Sequence, residues 1–161
     1  MAEIMTLNNW LTRTDGWLEQ RGEEIWQNYF SDIQQENKVQ FKFKGRWRTK
    51  LGHIRKLKNK HTEIAINSLL QDPIIPEWLI DVTIAHEICH YVHGFCSPLP
   101  QKYKHPHQSG VIEKELARRN FDISLVKKQN KWTKAHWGPY CSKVLGTRTP
   151  RPRKRKRRRF F

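Results

Sequence analysis

Two histidines and a glutamate lie close enough in the sequence to build a metal-dependent hydrolytic site. His86 and His90 are four residues apart, and Glu87 directly follows the first of them. On a helix, residues four apart share one face, so both imidazoles could bind one tetrahedral zinc ion. Glu87 would then stand beside the metal, where its carboxylate could take a proton from zinc-bound water and pass it to a leaving amine. The pattern predicts one catalytic zinc ion and the hydrolysis of peptide bonds.

A zinc site of this kind needs a third protein ligand and an open position for water. His93 would stand about 10 Å from the first histidine along the helix, too far to share the ion, and its place at the helix end suits the helix dipole. His107 lies beyond a loop that is long enough to fold back, which makes it the leading candidate. His105 and Glu113 remain alternatives. The full set of downstream candidates is His93, His105, His107, Glu113 and Glu115.

The motif lies on the best-defined helix of the sequence, predicted over residues 76–93. Apolar residues recur at helical spacing up to Gly94, and Pro76 suits the first helical position. Cys89, a small apolar residue within the motif, is expected to pack in the core. Ser109 resembles a helix N-cap that opens a second helix over 110–121, within a third-ligand region at 105–121.

The upstream segments predict a short sheet preceded by helices. Aromatic and aliphatic residues at largely helical spacing predict one or two N-terminal helices over 3–30, interrupted by Gly16 and Gly22. Alternation over 39–43 and a β-branched run at 64–67 predict strands in a sheet region over 39–67. The elements together predict an α+β fold.

The pattern weakens after Asp122, although aromatic residues there are still expected to pack onto a domain that spans 1–146. These residues are Trp132, Trp137 and Tyr140.

The charge of the chain predicts a polyanionic partner. The formal net charge is +16, and the segment from Arg148 to Arg159 holds nine basic residues and no acid. Residues 147–161 are predicted to form a disordered basic tail. Nucleic acid, DNA rather than RNA, is the expected partner, because each neutralised phosphate releases counterions. The candidate contacts are Arg151, Arg153, Lys154, Arg155, Lys156, Arg157, Arg158 and Arg159, with the basic stretch 42–60 as a second surface.

The composition of the first 30 residues and the cysteine content predict a protein of the cell interior. The first 30 residues contain five acids and no long apolar run, which fits neither a secretory signal nor a transmembrane helix. Three widely spaced cysteines predict neither a disulfide framework nor a paired-cysteine zinc site. We expect a monomer in the cytoplasm or nucleoid, or in the nucleus of a eukaryote, with no membrane partner.

The order of these elements resembles that of the SprT-like zinc metallopeptidases, over about residues 1–125. The resemblance rests on Leu51-Gly52, Ile64-Ala65-Ile66-Asn67, Pro76, Ala85 to His90, and Pro106-His107 before a helix. It implies a zincin-like domain, similar to the minimal gluzincins, with a short mixed sheet, an HExxH active-site helix and a following ligand-bearing helix. It further implies His86, His90 and His107 as zinc ligands and Glu87 as general base. The strand Ile64–Asn67 would be the rim along which an extended substrate adds as a further strand.

The family includes the Spartan proteases, which digest proteins crosslinked to DNA. The resemblance therefore implies an intracellular endopeptidase that acts on nucleic-acid-associated proteins. Two features depart from the family pattern: Gln108-Ser109-Gly110 follows the third histidine where glycine is common, and the C-terminal four-cysteine zinc ribbon is missing.

Three questions stay open at the level of sequence. The alternative function is a non-catalytic zinc-containing DNA- or RNA-binding protein, in which the zinc is structural. Tyr91 and Tyr103 are both candidates for the donor that stabilises an oxyanion. Residues 1–30 could mask the site as a pro-segment.

Overall fold

A three-stranded sheet with helices packed on it forms the core of the computed structural model, which describes residues 13–148. The predicted α+β class is confirmed. The predicted helical residues 3–12 and almost all of the basic tail lie outside the described residues. In chain order the elements are α1 (Asp15–Tyr29), β1 (Val39–Phe43), β2 (Gly52–Lys56), β3 (Thr62–Ile66), α2 (Glu77–Val92), α3 (Val111–Arg118), α4 (Ile123–Trp132) and α5 (Gly138–Leu145). Single 3-10 turns cover Ser68–Gln71 and Gln108–Gly110.

The sheet is mixed, as predicted. Its strand order, however, contradicts the prediction that Ile64–Asn67 forms the rim for the substrate. β3 lies in the centre, parallel to β1 and antiparallel to β2, and each of its residues is buried. Both of its edges are therefore already hydrogen-bonded, so Ile64–Asn67 cannot accept a further strand. The outer strands are β1 and β2, each paired with β3 on one side. The sequence did not predict β2, because three of its five residues are polar.

Helix α1 packs on the sheet as one uninterrupted helix. Thr14 caps it by accepting a hydrogen bond from the Trp17 amide. Gly22 lies inside the helix and is required there, since a Cβ atom would stand 2.7 Å from the Phe41 ring. The predicted interruptions are thus wrong: Gly22 marks a close helix-to-strand contact. Arg21 then ties α1 to α2 through two hydrogen bonds to Asp81, of 2.7 and 2.6 Å.

Helix α2 runs through the core and is buried along most of its length, with Cys89 fully buried as predicted. Pro76 is the N-cap of the helix, one residue before the predicted position. The helix ends at Val92, and Gly94, with φ of 82°, turns the chain towards Pro100. No helix of the described residues is both long and apolar enough to cross a membrane.

A helical run that the sequence did not predict completes the described part of the chain. α4 continues through a π-helical segment, Thr133–Trp137, into α5. Trp137 is buried and donates to the Arg48 carbonyl at 2.8 Å, while Tyr140 donates to Asp72 at 2.8 Å. The run is therefore fastened to the loop between β1 and β2 and to the turn that follows β3.

Candidate active site

Three histidines converge at the open side of α2. His86 and His90 present their rings on one face of the helix, with ring centroids 4.8 Å apart. The Nε2 atom of His107 lies 3.0 Å from that of His86, and its ring centroid lies 4.7 Å from that of His90. One ligand atom from each residue lies within 4.8 Å of the others. This geometry is that of three ligands which could share one metal ion.

The backbone before α3 places His107 in this cluster. Ser109 and Gly110 both adopt left-handed conformations, with φ of 50° and 65°, and these bend the chain sharply at the start of the helix. Gln108 braces the turn, because its Oε1 accepts a hydrogen bond from the His105 amide at 3.0 Å. The predicted Ser109 N-cap is wrong. Gly110 is the residue before the helix, and no side chain caps it.

The other candidate ligands are not part of the cluster. His105 is exposed on the turn, and Glu113 is exposed in the first turn of α3. Glu115 is buried, but its carboxylate is engaged by His93, Arg118 and Arg119. Among the described residues, only His86, His90 and His107 form a group of three possible ligands.

The surroundings keep the first two imidazoles uncharged. Burial, with a smaller contribution from the neighbouring His107, lowers the pKa of His86 to about 4. Burial and the adjacent histidines lower the pKa of His90 to about 3. Both rings are therefore neutral at pH 7 and have a lone pair available, which a metal ion requires of its histidine ligands. Three imidazoles are a donor set that suits zinc.

Glu87 lies beside the histidines with its carboxylate buried. The side chain is 6 % exposed, and burial raises its pKa to about 8, against the opposing charge of Lys50. Gly52 of β2 makes room for it, since a Cβ atom there would stand 3.3 Å from Glu87 Oε1 and 2.9 Å from Thr83 Cγ2. A dry carboxylate next to a metal site can serve as a general base.

The cluster lies in a cavity of about 760 Å³ with walls from different parts of the chain. Helix α2 supplies Thr83, His86, Glu87 and His90, and residues 50–54 bring the free edge of β2. The loops after α2 supply Phe95, Cys96, Pro106 and His107. The far wall consists of Gln129, Asn130, Thr133 and Lys134 from the C-terminal helical run. No pattern in the sequence predicted this last wall.

A buried ionic network fastens the end of α2 to α3 behind the cavity. His93, fully buried, lies 3.2 Å from Glu115 through Nε2. Glu115 also accepts from Arg118 at 2.6 Å and from Arg119 at 2.7 Å, and Arg119 bonds Asp32 in turn. This network holds α3 against α2, and so fixes the turn that carries His107.

Neither tyrosine considered for oxyanion stabilisation lines the cavity. Tyr91 is buried in the core, where its hydroxyl donates to Asn37 Oδ1 at 2.9 Å and accepts from the Glu36 amide at 3.0 Å. Tyr103 packs edge-on against His93. Both assignments are therefore wrong. The predicted nucleic-acid contacts, from Arg151 to Arg159, lie outside the described residues.

Comparison with known proteins adds one informative match. The model of the SprT-like family matches residues 18–123. No curated protein matches the chain. Among solved structures, the metallopeptidase zymogen jannalysin of Methanocaldococcus jannaschii is 17% identical over 71% of this chain and 90% of its own, with a TM-score of 0.46. The range matched by the family model contains the three histidines and Glu87, and it ends at the first residue of α4.

Proposed function

This chain belongs to the SprT-like family, and on that premise we propose that it is a zinc-dependent endopeptidase of the cell interior, with residues 1–146 as its catalytic domain. The observation that carries the proposal is the convergence of His86, His90 and His107 beside the buried carboxylate of Glu87. The three histidines would hold the zinc ion, and Glu87 would be the general base.

The chain's own residues suit hydrolysis of a peptide bond. A zinc ion held by the three histidines would polarise the scissile carbonyl and acidify water. Glu87, one residue after His86, accepts a proton from the attacking water and delivers it to the leaving amine. The Glu87 side chain is 6 % exposed, and low exposure strengthens the electrostatic interactions that it makes. The products are a carboxylate and an amine.

The free edge of β2 is the proposed place for the substrate backbone. β2 pairs with β3 on one side only, and residues 50–54 line the cavity beside Glu87. An extended peptide can add to such an edge through main-chain hydrogen bonds, which accept many sequences. This assignment replaces the rim predicted at Ile64–Asn67.

Two features support nucleic-acid-associated proteins as the substrates. Ten residues between Lys38 and Lys60 are basic and none is acidic. On one face of the sheet Lys44 and Arg55 both bond to Glu63, at 3.3 and 2.7 Å, which neutralises the one acid of β3. A basic face and the basic segment 147–161 together would attract a polyanion, DNA before RNA, and bring the enzyme to proteins bound there.

The catalytic part of the proposal is tested with Glu87→Gln, which keeps the shape of the side chain. We expect the purified variant to retain zinc and lose cleavage of an unfolded, fluorescently labelled protein. Glu113→Gln, an exposed acid outside the cluster, is the matched control and should cleave like the wild type. Full cleavage by Glu87→Gln would refute the mechanism.

The nucleic-acid part is tested by deleting residues 147–161. We expect weaker binding of single-stranded DNA and a shallower dependence of affinity on salt, because fewer phosphates are neutralised. Cleavage of a protein crosslinked to DNA should fall more than cleavage of the same protein free. Unchanged binding would exclude the segment from DNA contact.

The second candidate function is a non-catalytic nucleic-acid-binding protein with structural zinc. Structural zinc sites are closed by four protein ligands, whereas His107 is exposed and the cluster opens into a large cavity. That openness favours the enzyme. Absence of cleavage by zinc-loaded wild type, with DNA binding intact, would favour the alternative.

A further inference from the structure

The far wall of the cavity comes from a part of the chain that the family match does not reach. The match ends at residue 123, and the helical run from Ile123 to Leu145 follows. The cavity residues of this run are Gln129, Asn130, Thr133 and Lys134. Their spacing of one, four and five residues places them on one face of the helix. The wall therefore lies C-terminal to the residues that the family model matches.

The wall is fixed in place next to the histidines. Gln129 Nε2 donates to Thr83 Oγ1 at 3.1 Å, three residues before His86 on α2. At the other end, Trp137 is buried and holds the Arg48 carbonyl. The π-helical segment between these anchors begins at Thr133, inside the cavity wall. Such segments within helices frequently occur at functional sites.

Charges that line the cavity are mainly positive. Lys134 is exposed and lies within 4.0 Å of no carboxylate among the described residues. Lys50, on the wall formed by residues 50–54, stands 4.3 Å over the Trp47 ring and 2.9 Å from His53 Nδ1. Glu87 is the single acidic residue among the lining residues. A substrate segment that fills this space therefore meets two lysines and one buried carboxylate.

We propose that Lys134 is a specificity-determining residue that binds an acidic side chain of the substrate near the scissile bond. Lys50 adds positive charge from the opposite wall. The inference rests on the proposed peptidase function and names its preferred substrate: extended segments with Asp or Glu beside the cleaved bond. The ammonium group of Lys134 is free to take this role because it has no ion-pair partner among residues 13–148.

The first test measures peptide binding in the Glu87→Gln background, where the peptide is not consumed. Two fluorescent peptides are compared by anisotropy, identical except for three central Glu residues in one and three Gln residues in the other. We expect the acidic peptide to bind about fivefold more tightly, near the upper end for charge pairs at an exposed lysine. Adding Lys134→Ala should reduce the preference to about twofold. Lys131→Ala, an exposed lysine of the same helix outside the cavity, should leave it unchanged.

The second test measures turnover of the same peptides with Glu87 present. Lys134→Ala should raise KM for the acidic peptide severalfold and leave kcat unchanged, since the lysine holds the side chain and does no chemistry. Lys134→Glu should reverse the preference between the acidic peptide and a third peptide with central lysines.

Different failures separate the two proposals. Turnover of both peptides without an acidic preference, or equal losses in Lys134→Ala and Lys131→Ala, would overturn the role of Lys134 and leave the peptidase intact. Selective binding without turnover would refute the peptidase and leave the role of Lys134 in acidic recognition. Absence of measurable peptide binding would overturn the inference. Displacement of the acidic peptide from Lys134 by a single-stranded oligonucleotide would also overturn it.

Discussion

Two glutamates, Glu87 of α2 and Glu115 of α3, are buried to a similar extent but have opposite pKa shifts. In the turn of α2 that carries the histidines, Glu87 is 6 % exposed and no described cation pairs with it, so burial raises its pKa to about 8. At the end of the helix, Glu115 of α3 is 7 % exposed. Burial alone would raise its pKa too, but hydrogen bonds from Arg119, Arg118 and His93 outweigh it and hold the pKa at about 2.

The difference agrees with the catalytic role that we propose for Glu87 and with a structural role for Glu115. A buried carboxylate with paired charges stabilises the fold as long as its partners remain. A buried carboxylate left without a partner costs stability and is retained where a reaction needs a base. Both carboxylates lie beside a histidine, Glu87 next to His86 in the sequence and Glu115 against His93 in space, so residue type alone does not distinguish them.

The largest predicted effect is the loss of stability when the paired carboxylate, Glu115, is neutralised. Glu115→Gln removes the negative charge that pairs with Arg118 and Arg119. It also weakens the acceptor for buried His93, while Arg119 keeps its ion pair with Asp32. We expect the free energy of unfolding to fall by about 3 kcal/mol. Glu87→Gln in metal-free protein should change it by less than about 0.5 kcal/mol, because a neutral side chain replaces a protonated one. Urea unfolding of both variants makes the comparison. Equal destabilisation would break the distinction between the two carboxylates.

A smaller effect is expected at Gly52, which gives Glu87 its space. A methyl group there would press on Glu87 Oε1 and Thr83 Cγ2, so Gly52→Ala should lower kcat by about tenfold to a hundredfold through misplacement of the base. Gly138→Ala is the control, since a Cβ there meets nothing within 4 Å. Steady-state kinetics on one peptide checks both. Unchanged kcat in Gly52→Ala would show that Glu87 does not depend on this contact.

The smallest effect is the acid sensitivity of the Glu115 network. Its folded pKa of about 2 lies below the ordinary glutamate value of 4.5, which applies to the unfolded chain. The stability from this group is therefore complete above pH 4.5 and is lost as the pH falls towards 2. We expect about 2 kcal/mol of the wild-type stability to disappear across that interval. Urea unfolding at pH 5, 4 and 3 should show a shallower slope for Glu115→Gln, and parallel slopes would contradict the assignment.

The apolar periodicity and the spacing of the histidines were enough to predict the central part of the site. His86, Glu87 and His90 follow from a strongly apolar helix, whose period fixes which side chains share a face. The length of the following loop and the family resemblance selected His107. The bend that delivers it was missed, because Ser109 resembles a cap locally while its backbone is left-handed. Tertiary contacts decided that conformation.

Two walls of the cavity, formed by β2 and by the C-terminal helical run, could not be predicted from the sequence. β2 is an edge strand with polar residues, and only Val126 of α4 is buried, so neither has a clear apolar period. Both are ordered by contacts with distant residues, such as Gln129 with Thr83 and Trp137 with the Arg48 carbonyl. The residues proposed to determine specificity therefore could not be predicted from the sequence, whereas the residues proposed for catalysis could.

The most direct test of the account is the zinc content of the wild type, His107→Ala and His105→Ala. The three proteins would be purified from metal-replete culture and analysed for bound metal per chain. The account predicts about one zinc ion in the wild type and in His105→Ala, and a marked loss in His107→Ala. Full zinc in His107→Ala, or none in the wild type, would contradict the three-histidine site.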